Sequence, residues 1–168
     1  MKNISRIAMS TLVFAGLFLT PVVSRADARC PWLNAATAGW VLGGEVQMSV
    51  TPLTPQGDAT CEFSRGLAAT AFTLSIAVHT MDVPSRDFAS YLSQCDGTRL
   101  PLKAIGNEAI QCVPKNGSGG DEEQIIGRVR ERVFVLTIHR SGVPPATLKD
   151  GLREDTRNIA GQVAGSLF

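Results

Sequence analysis

The chain has 168 residues, 44% of them hydrophobic and 18% charged, with 16 Lys and Arg against 15 Asp and Glu. Its glycines follow no G-X-Y period, its charged fraction is low and apolar residues recur throughout, which excludes collagen, a coiled coil and a disordered tail. One ordinary globular domain remains, and the near balance of charge argues against a dedicated nucleic-acid binder.

The first predicted element lies outside that domain. Lys2 and Arg6 precede an apolar run from Ile7 to Leu19, and small residues follow at Ser24, Ala26 and Ala28. This is the three-part layout of a secretory signal peptide. The run is about 13 residues, short of the roughly 20 that a bilayer-spanning helix needs. Residues 1–26 are therefore expected to be removed on export, leaving 27–168 as a single secreted or periplasmic α+β domain with no transmembrane segment. Arg29 stands before Cys30, where lipid modification wants a small residue. Without Lys2, Arg6 and Arg25 the mature chain carries 13 basic and 15 acidic side chains, a formal charge of −2. Such a surface gives no electrostatic reason to bind nucleic acid or anionic membrane.

From Pro31 to Leu42 the sequence predicts a short helix, with Asn34 or Thr37 as cap, Gly43-Gly44 as stop, and Trp32, Leu33, Trp40 and Val41 on its buried side. EVQMSVT then alternates, with Val46, Met48 and Val50 on one face, which is a half-buried strand. Pro52, Pro55 and Gly57 turn the chain, and ATCEFSR returns with Cys61 and Phe63 together. AFTLSIAVH follows with Phe72, Leu74, Ile76 and Val78 on one side, completing an antiparallel meander. Pro84 opens a second helix whose Phe88, Tyr91 and Leu92 face inward. IGNEA reads as a turn, AIQCV as a short strand and NGSGGDEE as an exposed loop. EQIIGRVRERVFVLTIHR reads as two strands bent near Arg130 and Glu131. Leu148, Leu152, Ile159 and Val163 then form one stripe of a long final helix. The order is helix, three strands, helix, three strands, helix. The expected architecture is one antiparallel sheet of about six strands with the helices on one face.

Cys30, Cys61, Cys95 and Cys112 are separated by 31, 34 and 17 residues, too far apart for the short paired spacing of a zinc site. In an exported chain an even number of such cysteines reads as two disulfides, for which three connectivities exist. Cys30 with Cys61 and Cys95 with Cys112 is the preferred one, because each pair then brackets a helix and a neighbouring strand.

Four features together resemble a set of exported bacterial domains: Cys30 ahead of a small-residue helix, Cys61 near Phe63 on a strand, the turn Gly106-Asn107-Glu108-Ala109, and the closing IAGQVAGSLF. That set includes actinobacterial secreted lipoproteins of unknown function and is similar to the extracellular sensor domain of bacterial serine/threonine kinases. The resemblance implies an α+β fold with disulfides and a role in sensing a ligand or partner. It implies no catalytic residue and no cofactor.

The candidate site follows from charge placement. Alternation along a strand places Arg128, Arg130 and Arg132 on one face, where guanidinium groups can hold carboxylate or phosphate. His79 and His139, the only histidines, lie at strand ends opposite their apolar neighbours. They could share a metal with Glu or Asp as a third ligand if their strands lie side by side, though no spacing demands one. A nucleophilic triad would need one of them as base, and neither G-x-S-x-G nor S-x-x-K occurs. Asp121-Glu122-Glu123 is the densest acidic group and is expected to be solvated. The sequence thus points to a non-enzymatic, exported binding or sensor-like domain. An exposed sheet face with the three arginines and both histidines would meet an envelope or extracellular partner or a small anionic ligand. A hydrolase or inhibitor acting on cell-envelope material is the second reading.

Overall fold

Asn34 accepts a hydrogen bond from the Thr37 amide at 2.8 Å, and Gly43 adopts a left-handed φ of 79°, so these two residues delimit α1 (Ala35–Leu42). A computed structural model of the chain describes residues 29–51, 54–67, 70–114, 120–141 and 147–168. The expected signal peptide, the glycine-rich residues 115–119 and Pro144-Pro145 lie outside those residues. After α1 come β1 (Gln47–Val50), β2 (Ala59–Leu67), β3 (Thr70–Thr80), α2 (Pro84–Ser93), β4 (Gly97–Leu102), β5 (Glu108–Pro114), β6 (Gly120–Val129), β7 (Arg132–Ser141) and α3 (Thr147–Ser166).

The strands form one sheet in the order β1-β2-β3-β7-β6-β5-β4, antiparallel at every pairing. Two meanders, β1–β3 and β4–β7, are thus joined along the β3–β7 seam, where Phe72 pairs with Arg140 and Thr80 with Arg132. The seventh strand is β4, which lies in a stretch given no strand by the sequence reading. Its GTRLPL is mostly exposed, so the alternation that marks a half-buried strand is missing.

The front face carries the main core. Phe63, Leu74, Ile76, Ile125, Phe134, Leu136 and Ile138 point into it from the sheet, Ala38, Val41 and Leu42 from α1, and Leu152, Ile159 and Val163 from α3. Trp32 and Leu33 are buried there as expected. Trp40 is not: it is 72% exposed, because at 100° per residue it points away from the side of α1 that buries Ala38 and Val41.

The helices do not all lie on that face. A second cluster joins Phe88, Tyr91 and Leu92 of α2 to Ile110, Ile126, Val133 and Val135. Ile126 neighbours Ile125, and Val133 and Val135 alternate with Phe134 and Leu136, so α2 packs on the reverse face. One disulfide serves each layer. Cys30–Cys61 ties the segment before α1 to β2, Cys95–Cys112 ties the end of α2 to β5, and no described cysteine is free. Among the described residues no helix is long and apolar enough to cross a membrane.

Candidate functional site

The β6–β7 hairpin decides where the arginines go. Arg128 is the penultimate residue of β6, Arg130 occupies the turn with φ 54°, and Arg132 begins β7 opposite Val129. The turn interrupts the alternation, so the three guanidiniums diverge. Arg128 is on the reverse face, ion-paired with Glu108 and 5.9 Å from the Phe88 ring. Arg130 lies 5.8 Å from the ring of Phe168. Arg132, on the opposite face from Arg128, donates to the Gln56 carbonyl at 2.9 Å. Each has a local partner, and no row of cations forms.

The histidines are separated as well. Their strands are adjacent, but His79 pairs with Val133 while His139 pairs with Thr73. That is six register positions, about 20 Å at the usual strand rise. His79 stacks on Tyr91 with ring centroids 5.9 Å apart and sits 3.9 Å from Asp58, whose carboxylate accepts from the Thr80 amide at 2.7 Å. Burial, followed by the nearby Asp58 and Asp87 charges, pushes the Tyr91 phenol upward. His139 lies 3.9 Å from Glu122. Neither carboxylate is within hydrogen-bonding distance of its imidazole. Among the described residues no group of three His, Cys, Asp or Glu side chains could hold a metal ion.

Glu123 departs from the expected solvated loop. It is 8% exposed and belongs to β6. It accepts from Gln111 at 2.7 Å and from Arg153 of α3 at 3.0 Å, while Arg157 donates to Gln111 at 2.8 Å. Sequence reasoning missed this network because both arginines come from a helix 30 or more residues away from the groups they bind. Its geometry is that of a satisfied buried contact holding α3 on the sheet.

Among the described residues, what remains open is the part of the reverse face that α2 does not reach. Following the register, Ser49, Glu62, Ser75, Thr137 and Gln124 form one cross-strand row, and Gln47, Ser64, Thr73, His139 and Glu122 form the next. The adjoining rows change character to Ala77, Val135 and Ile126, then to Val133 and Arg128, beneath α2. The two open rows carry hydroxyls, amides, carboxylates and one imidazole, and contain neither Arg nor Lys. Alternation in strands such as AFTLSIAVH made their polarity legible, but only the register shows that they align into rows. Comparison with protein-family models, curated proteins and solved structures finds no match to the chain.

Proposed function

We propose that the chain is an exported, non-enzymatic binding module that engages an extended polar partner on the two open rows of the reverse face. The observation that carries this reading is the boundary on that face: α2 covers the apolar rows and stops where the rows become polar. Across five strands at about 4.8 Å the surface is roughly 20 Å wide and supplied with donors and acceptors. Export is supported by the N-terminal layout and by two disulfides, which persist in oxidising compartments. The dispersion of Arg128, Arg130 and Arg132, together with Glu62 and Glu122 in the rows, favours an uncharged ligand over an anionic one. The hydrolase reading has less support, since each histidine stands apart from the other and at 3.9 Å from its nearest carboxylate.

The test places bulk and charge at the centre of the rows. Ser75→Arg with Thr137→Arg, a register pair, is expected to abolish sedimentation of the purified protein with washed cell-envelope material. Arg130→Ala should leave it unchanged. Retention of the double variant at the wild-type level, with its circular dichroism intact, would refute the assignment of this face.

A further inference from the structure

Trp40 is 72% exposed, the largest apolar side chain left in water among the described residues. Tryptophan is seldom so bare, because its indole offers a large apolar area to solvent unless something covers it. Beside it on α1 runs an open groove of about 670 Å³, lined by Ala35, Ala36, Gly39, Gly43, Gly44 and Val46. Its floor is backbone: Gly39 sits so near the turn after α1 that a Cβ on it would lie 2.6 Å from the Gly44 carbonyl oxygen. One bulky apolar side chain and one shallow apolar hollow thus share the outer side of the same helix.

Charge narrows the choice of what covers them. From Cys30 to Gly44 no residue is charged, so two such surfaces can meet without burying an ionised group, which is costly. Where the groove ends, the charges are of opposite sign. Glu45 lines it, is exposed and has no ion-pair partner among the described residues. The Arg65 guanidinium lies against Gly43 and Gly44, where added Cβ atoms would be 2.8 Å from its Nη1 and Nε, and Nη1 donates to the Leu42 carbonyl at 2.7 Å. In a two-fold contact each copy offers the surface that the other offers. A projection then needs its own recess, and an acid its own base, on that same surface, and both are present here. A lipid surface fits less well, since the indole is surrounded by Ala and Gly and not by the further bulky apolar side chains that interfacial helices insert.

We infer that the outer side of α1 is a self-association surface: two copies of the chain pair about a two-fold axis, Trp40 of each seated in the Ala36–Gly39–Gly43 hollow of the other, with Glu45 of one copy facing Arg65 of the other. A covered indole buries about 150–250 Å², so two of them with the flanking methyl groups stay below the roughly 1,200 Å² of total surface that stable complexes bury. The dimer is accordingly a weak one that forms as concentration rises. Because α1 lies on the front face, the open rows of both copies remain uncovered, and the inference does not depend on what those rows bind. A dimer would present two such faces at once, which raises avidity for a repetitive partner.

Sedimentation equilibrium of the purified, oxidised protein from micromolar to near-millimolar concentration is the test, with tryptophan emission followed over the same range. The mass is expected to rise from one copy towards two and no further, while the emission moves to shorter wavelength as Trp40 becomes covered. Trp40→Ala removes the projection and Ala36→Arg fills the hollow at an exposed helical position that suits Arg. Each should weaken association tenfold or more, and Glu45→Lys should weaken it at least threefold at low salt. All three variants are expected to unfold at the wild-type temperature in dilute solution, which checks that the loss is one of contact and not of fold. An equimolar mixture of the Trp40→Ala and Ala36→Arg proteins should associate more tightly than either alone, because one intact indole then meets one intact hollow. A mass of one copy throughout, growth beyond two copies, emission that does not move with concentration, or association indifferent to any of the three substitutions overturns the inference. A mixture that associates no better than its components excludes the reciprocal seating. If the chain stays monomeric while phosphatidylcholine vesicles shift the emission of Trp40, the indole meets lipid and the inference fails as well.

Discussion

Single positions in this protein are constrained by contacts that their neighbours in sequence do not reveal. Gly127 faces Phe134 across the β6–β7 ladder, and a Cβ there would lie 2.3 Å from the Phe134 ring. Because Phe134 is fully buried it cannot swing aside, so Gly127→Ala is expected to cost about 1–3 kcal/mol through overpacking. Urea unfolding measures it, and adding Phe134→Leu should make the pair less than additive; full additivity would rule out the steric explanation. Asp87 acts at the start of α2, where its carboxylate accepts from the Val83 amide at 2.8 Å. That hydrogen bond, helped by Arg86, holds its pKa below the ordinary carboxylate value of 3.8. A depressed acid stabilises the fold above its unfolded pKa and ceases to do so as pH falls through the folded one. Asp87→Asn should therefore lower the melting temperature at pH 7, with the gap to wild type closing below pH ~4; a gap that stays constant on acidification would refute the assignment. The two tryptophans make the opposite comparison. Trp32, 7% exposed, should cost about 3–5 kcal/mol on truncation to Ala, and Trp40 close to nothing.

At the scale of elements, the disulfides fasten one helical layer to each face. In the chain-entropy model the loop of separation 17 is worth about 3 kcal/mol and that of separation 31 about 4. Cys95→Ala with Cys112→Ala should accordingly lower the unfolding free energy by about 3 kcal/mol. It should loosen α2 first, seen as faster exchange of the α2 amides than of those in α1. Equal loosening of both helices would mean that the two layers are not separately anchored. Both cross-links, three helices and six of the strands were legible because period two and period 3.6 are local properties. The placement of α2 was harder, although the signal was present. Ile125-Ile126 and the run Val133-Phe134-Val135-Leu136 are apolar on both sides, which marks strands covered on two faces. The arginine row failed for a different reason. Alternation holds only within one strand, and a two-residue turn at Arg130-Glu131 reverses the chain. The candidate face itself was half legible: its polarity is in the sequence, but its alignment depends on pairings between residues far apart.

For the molecule as a whole, the question is whether two meanders joined at one seam behave as one unit. Each would be a small sheet alone, and three-stranded sheets need a packed face to persist. Here the front core crosses the seam. Leu74 and Ile76 of β3, Leu136 and Ile138 of β7, Ile125 of β6 and Ile159 of α3 belong to one buried cluster. Opening the seam would therefore expose the same apolar surface that holds α1 and α3, and no lower-cost opening between the halves is available. Backbone amides of β3, β6 and β7 are expected to exchange slowest and with one common free energy, while those of the edge strands β1 and β4 exchange through local fraying. Native-state hydrogen exchange in rising denaturant distinguishes the cases. Two separate plateaus, one for β2–β3 and another for β5–β7, would show that the seam opens by itself and that the sheet is two modules in contact. A single plateau would mean that the open rows, which draw residues from β1 through β3 and from β6 and β7, sit on one rigid support. The spacing of their donors and acceptors is then fixed before a ligand arrives, and little ordering entropy is lost on binding.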